Sequence, residues 1–189
     1  MRKTHPTIFV YATMNNLATS PFHKGEQKIQ TMLGVRDKME RFGRQVIRDF
    51  MPDQHQEFYR QLPFVMIGHA DSSGWPWASI LFNRHGFINA TNKHLLQINA
   101  MPVAGDPLAQ SLAENLRLGV LGIELETRRR NRLSGRVSHY DQDGIELAID
   151  QAFGNCPQYI QTRKLEFLDQ QHLPKPSVET LTNFGSMKN

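Results

Sequence analysis

Between Leu118 and Val137 the chain reads LGVLGIELETRRRNRLSGRV, an apolar run of strand length that opens directly into Arg128, Arg129, Arg130, Arg132 and Arg136. Leu118 to Leu125 is apolar at nearly every position, the pattern of a strand central to a sheet. Arg132 to His139 reads as its antiparallel partner. Five guanidinium groups within nine residues need an anionic partner or water. With a β-rich run on each side to fix where they point, they can cradle a phosphate through paired N–H donors, a geometry lysine matches less well. The competing reading is a solvated basic hairpin end.

A length of 189 residues suits one domain with a real core and an appended helical arm. The net charge is +4, but acidic residues are interspersed along most of the chain and the excess sits largely in the arginine cluster, which is not a nucleic-acid profile. The single cysteine, Cys156, excludes an internal disulfide and all-cysteine metal sites, so a cytoplasmic protein is expected. Thr7 to Met14 follows Arg2 and Lys3 but is short and lacks a small-residue cleavage site, so it reads as an arm or strand. No apolar segment reaches the roughly 20 residues a membrane helix requires.

From Glu26 to Met51, Ile29, Met32, Leu33, Met39, Phe42, Val46, Ile47 and Phe50 recur at helical spacing, with Gly34 and Gly43 as expected breaks. Pro52 stops this section, and Asp53 is the expected N-cap of a short helix that carries Phe58 and Leu62 to the core. After Pro63 the texture changes. Phe64 to His69 and Trp77 to Phe82 read as strands joined by Asp71-Ser72-Ser73-Gly74, a turn sequence. Short strands are expected at Phe87 to Asn89 and Leu95 to Asn99, and a helix from Asp106-Pro107 through Leu116. A last turn at Asp141 to Gly144 leads into the alternating Ile145, Leu147 and Ile149. The sheet is therefore mostly antiparallel, and the fold class is mainly β with α additions. The segments are an N-terminal arm (1–25), a barrel domain with N-terminal helices (26–171) and a polar tail (172–189), the last a linker or a truncation of a longer protein.

Several chemistries lack their motifs: there is no phosphate-binding P-loop, dinucleotide glycine fingerprint, His-Glu-x-x-His helix or Gly-x-Ser-x-Gly elbow. The eight histidines show no ligand spacing, so no metal is expected. Cys156 sits near basic residues that can activate a thiol, yet a lone cysteine more often acts as a small hydrophobe. In DSSGWPWASILF, Trp75 and Trp77 flank Pro76, and Ala78-Ser79 leaves little bulk on the strand, so a flat ligand can lie against its backbone; Trp77 can equally be a core aromatic.

Three motifs in this order, Gly74-Trp75-Pro76-Trp77-Ala78-Ser79, Gly135-Arg136-Val137 after the arginines, and Asn155-Cys156-Pro157-Gln158-Tyr159-Ile160, resemble the pyridoxamine 5'-phosphate oxidase-like flavin-binding split barrels. GVRDKMERFGRQVIRDFMPDQHQEFY, PWASILF and FGNCPQYIQTR are similar to a bacterial oxidase-related subgroup, and the resemblance covers roughly Glu26 to Leu168. It implies a six-stranded antiparallel split β-barrel with N-terminal helices, forming a homodimer with FMN at the interface. It also implies that the Trp77, Ala78, Ser79, Ile80 strand runs beside the flavin ring, with Ser79 on the phosphate. Arg128, Arg129, Arg130 and Arg132 would add cationic phosphate contacts, and Asn155 and Gln161 polar ones. The authentic oxidase carries arginine where this chain has Ser79, and its C-terminal substrate pattern has no counterpart here, so the small-molecule substrate is unassigned.

The expected function is an FMN-binding oxidoreductase using hydride transfer at flavin N5, with FAD, a deazaflavin or haem as less favoured cofactors and no nameable catalytic residue. The alternative is a non-catalytic carrier of flavin or haem. Nucleic-acid binding through Arg128 to Arg136 is disfavoured by the lack of a reading helix, and no membrane partner is expected.

Overall fold

A computed structural model describes residues 19–156 and 158–167. The polar tail (172–189), Pro157 and the first eighteen residues of the expected arm lie outside the described residues. The chain divides into two compact units, Met1–Arg48 and Asp49–Asn189.

The first unit is a helical hairpin of α1 (Lys24–Met32) and α2 (Arg36–Val46). α1 begins in a capping box in which His23 Nδ1 accepts from the Glu26 amide at 3.2 Å and Glu26 Oε2 accepts from the His23 amide at 2.8 Å. It ends at Gly34, whose φ of +68° places it in the left-handed region that favours glycine. The Gly34 amide donates to Thr31 O at 3.0 Å and the Val35 amide to Gln30 O at 2.9 Å, closing the last turn. Gly43 breaks nothing: it lies inside α2, where a Cβ would sit 2.5 Å from the Phe22 ring. Glycine there serves packing, which spacing alone cannot distinguish from a helix stop.

The second unit begins with α3 (Asp53–Arg60) and holds one seven-stranded antiparallel sheet. Its strands are β1 (Phe64–Ala70), β2 (Pro76–Phe82), β3 (Ile88–Asn92), β4 (Leu95–Ile98), β5 (Arg117–Glu124), β6 (Arg129–Tyr140) and β7 (Ile145–Asn155), in the order β2-β1-β5-β6-β7-β4-β3. The fold is thus mainly β with α additions. Seven strands stand where the family resemblance implied six; β3 and β4 pair where short strands were expected at Phe87 to Asn89 and Leu95 to Asn99, and β2 and β3 are the two ends of an open order. No helix among the described residues is long and apolar enough to cross a membrane.

β6 and β7 are longer than expected, since pairing continues through the arginines to Arg130↔Asn155. Asp53 is not a cap. Pro52 occupies the N-cap position without a side-chain acceptor, and Asp53 is the first helical residue. At α4 (Pro107–Ser111) the expected cap does form, with Asp106 accepting from the Leu108 amide at 2.8 Å. That helix stops five residues short of Leu116, because Leu112 turns extended and Asn115, at φ +64°, swings its amide onto Val137 O at 2.8 Å.

The core lies on the α3 side of the sheet. Phe58, Tyr59 and Leu62 press onto β5 at Gly122, where a Cβ would come within 2.7–2.8 Å of all three side chains. Burial pushes the Tyr59 phenol far above its ordinary value, so it stays protonated at any accessible pH. On β6 and β7 the ladder shifts register between Ser134 and Gly135. A Cβ on Gly135 would lie 2.1 Å from Ala148 O, a backbone atom that cannot move aside.

Gly135→Ala is therefore expected to destabilise the second unit by about 2 kcal/mol or more. Gly68→Ala, where a Cβ meets nothing closer than 3.9 Å, should change stability by under about 0.5 kcal/mol. Urea unfolding of the two variants checks the contrast.

Candidate functional site

Residues along an extended strand alternate between its two faces, and this decides what the arginines of β6 can do. Arg129 and Asn131 lie on the face of Leu133 and the core, whereas Arg132 and Ser134 lie on the opposite face; Arg130, at the start of the strand, lines a cleft with Arg129 and Asn131. The cluster that looks convergent in sequence is divided by the strand itself.

On the face away from α3, two rows of residues cross five strands. One runs Ala78, Gly68, Gly119, Ser134, Gln151, and the next runs Ile80, Met66, Leu121, Arg132, Phe153. All of these but Ile80 line a groove of about 440 Å³. Gly68 and Gly119 face each other across β1 and β5 in extended backbone that any residue adopts. A Cβ on either would meet only the other's carbonyl, at 3.9 Å, so packing within the chain does not require glycine here. The missing side chains leave a flat shelf of backbone, a place for close approach of a planar group or another chain. Arg132 lines this groove, is exposed, and makes no hydrogen bond or ion pair among the described residues.

The other arginines are elsewhere. Arg128, Arg129 and Arg130 line a second cleft, of about 340 Å³, between the start of α3 and the ends of β6 and β7. Arg129 is already neutralised: its Nε donates to Glu124 Oε2 at 2.7 Å and its Nη2 to Oε1 at 3.0 Å, with the guanidinium 5.6 Å from the Phe58 ring centre. Thr127 Oγ1 also donates to Glu124. Arg130 Nη2 donates to Asn155 Oδ1 at 3.1 Å and Cys156 O at 2.8 Å. Arg128 occupies the turn between β5 and β6 at φ +61°. Arg136 sits 3.6 Å from Asp150.

The hairpin residues divide by the same alternation. Ala78 lines the groove and Ile80 shares its face of the sheet, and Trp77 and Ser79 face the other way. Trp77 Nε1 donates to Asp71 Oδ2 at 2.9 Å, and this bond with the Trp75 amide holds the Asp71 carboxyl below the usual carboxylate range. Ser79 is 3 % exposed and its hydroxyl donates to Asp106 Oδ1 at 2.6 Å, tying β2 to the cap of α4. That hydroxyl is committed within the fold, and it lies on the opposite face from Arg132. Asn155 joins the second cleft, whereas Gln161 lines neither cavity and accepts from Arg163.

No family model and no curated protein matches the chain. Among solved structures, a HupZ variant from Group A Streptococcus is similar over 56 % of this chain and 99 % of its own, at 9 % identity and a TM-score of 0.43.

The residues that sequence reading missed are Gly68, Gly119, Met66, Leu121 and Phe153. The two glycines were open to notice, as strand-interior glycines without turn neighbours, but their opposition depends on a pairing between strands fifty residues apart.

The Arg129 fork, then the Thr127 hydroxyl, lower the Glu124 carboxyl, so the folded chain holds that proton less readily than the unfolded one. The stabilisation is present above the ordinary carboxylate range near ~4.3 and fades as pH falls through the lowered folded value. Glu124 and Arg129 side chains are 17 % and 45 % exposed, so screening limits the pair to under about 1 kcal/mol. Glu124→Gln should cost that much at pH 7 and progressively less as pH falls below the ordinary carboxylate range, read from denaturation midpoints of both proteins across the range.

Proposed function

We propose that the chain is an FMN-binding protein of the pyridoxamine 5'-phosphate oxidase-like split-barrel type that acts as an oxidoreductase on a small molecule. The observation that carries this reading is the opposed pair Gly68 and Gly119 on an open sheet face, one row from an arginine with no partner among the described residues. A planar ring needs backbone within van der Waals reach and no side chain in the way, and the shelf supplies both. FMN, when bound, supplies two-electron chemistry through hydride transfer at N5.

The chain's own part is orientation and electrostatics. Ala78, Gly68 and Gly119 set how closely a ring approaches, and Met66, Leu121 and Phe153 keep water from its edge. Arg132 holds negative charge on the ligand through its forked donors, with Ser134 beside it as a hydrogen-bonding partner. Ile80 and Phe82 extend the same apolar face and are 49 % and 48 % exposed. In this reading a second copy of the chain covers them, so that the cofactor lies between two protomers.

A non-catalytic carrier of flavin or haem is the second reading. It is favoured by one observation: Arg132 is the only ionisable side chain lining the groove among the described residues, so no neighbouring group is placed to move a proton.

The test is an absorbance spectrum of the purified protein before and after FMN addition and desalting. Retained flavin bands are expected, with affinity falling roughly tenfold or more in Gly119→Val and in Arg132→Ala, a change of about 1.4 kcal/mol each. Reduction of bound flavin by a nicotinamide donor separates oxidoreductase from carrier. Uptake of haem but not FMN moves the assignment to the second reading, and uptake of neither overturns both.

A further inference from the structure

The cleft beside α3 is a cavity that the flavin reading leaves unused. It is lined by Arg128, Arg129 and Arg130 but not by Arg132, which lines the groove, so the two cavities draw on different arginines of one hairpin. No carboxylate lines it among the described residues. Glu124 cancels Arg129 from behind, and the excess positive charge rests on Arg128 and Arg130.

Neither of these two is spent. Arg128 makes no hydrogen bond or ion pair among the described residues, and it holds its place in the turn at φ +61°, a conformation glycine adopts more readily. Arg130 gives Nη2 to Asn155 and the Cys156 carbonyl, while its enclosed Nε–H has no acceptor among the described residues. Its Nη1 likewise makes no hydrogen bond among the described residues, so this donor and the Arg128 guanidinium are left for an incoming oxyanion. α3 begins at the same cleft with no side-chain cap, so its first-turn amides add positive potential, partly offset by Asp53.

We propose that this cleft is a second, separate anion site that takes the phosphate group of a small phosphorylated solute, clamped between the Arg128 and Arg130 guanidinium groups. Paired N–H donors on two arginines match the tetrahedral oxygens of a phosphate monoester. The volume of about 340 Å³ admits a small solute rather than a polymer strand.

The test titrates inorganic phosphate, and separately a short single-stranded oligonucleotide, into the full-length protein at constant ionic strength, followed by calorimetry and by arginine Nε–H resonances. Saturable one-site binding of phosphate is expected, with the Arg130 Nε–H signal shifting on binding. Arg128→Ala with Arg130→Ala should weaken it roughly tenfold or more, and Arg132→Ala should leave it within about twofold. Should the double variant fail to fold, Arg128→Gly carries the test alone, because glycine suits that backbone and only the guanidinium is lost; a loss of about threefold or more is expected. A response that chloride reproduces, equal affinity in Arg128→Gly, or preference for the oligonucleotide overturns the proposal. Loss in Arg132→Ala equal to that in the double variant also overturns it. Flavin retention measured on the same variants keeps the two assignments apart, since Arg128→Gly should lose phosphate and keep flavin.

Discussion

The pairing of β6 with β7 is the constraint on which the second unit rests. It is the longest ladder of the sheet, from Arg130↔Asn155 to Tyr140↔Ile145, and everything else attaches to its two sides: β5 with the β1–β2 hairpin on one, β4 with β3 on the other. Two glycines make it possible. Gly135 lets β6 approach the Ala148 carbonyl, and Gly144, where a Cβ would lie 2.2 Å from Ile98 O, lets the turn into β7 pass over the end of β4. The register shift at Ser134/Gly135 leaves Asp150 of β7 as the extra residue and lets Ile149 and Ala152, three positions apart, both face the core.

Much of this was legible in the residues. The apolar run from Leu118, the turn sequences at Asp71 and Asp141, and the Asp106-Pro107 start each report local chemistry, and each element stands where its chemistry puts it. What local chemistry cannot supply is which strand lies beside which. β1 pairs with β5 across α4 and three other strands, and the Gly68–Gly119 opposition follows from that long-range contact alone. Gly43 and Asp53 show a second kind of limit: glycine is as much a packing residue as a helix stop, and an aspartate one position inside a helix has the same sequence signature as one at its cap.

The arginines show why counting charges in sequence overstates a site. Of the five, Arg129 and Arg136 face carboxylates of their own sheet, Glu124 and Asp150, and Arg130 is anchored on carbonyl oxygens. Neighbours along a strand are not automatically partners for one ligand, because successive residues point to opposite faces. What matters is which guanidinium retains unmet donors, and Arg128, Arg132 and the Arg130 Nε are those that do.

The alternation of β6 also works as a register lock. Sliding the strand by one residue against β5 and β7 would carry Arg132 to the side of Phe58 and Leu62, and carry Leu133 and Val137 to the opposite face. An unpaired guanidinium in that core costs several kcal/mol, far more than the ladder gains in any shifted pairing. The basic run that equips the sheet's surface therefore also forbids the misaligned versions of the sheet, and replacing these arginines with apolar residues would weaken the specificity of folding before it weakened its strength.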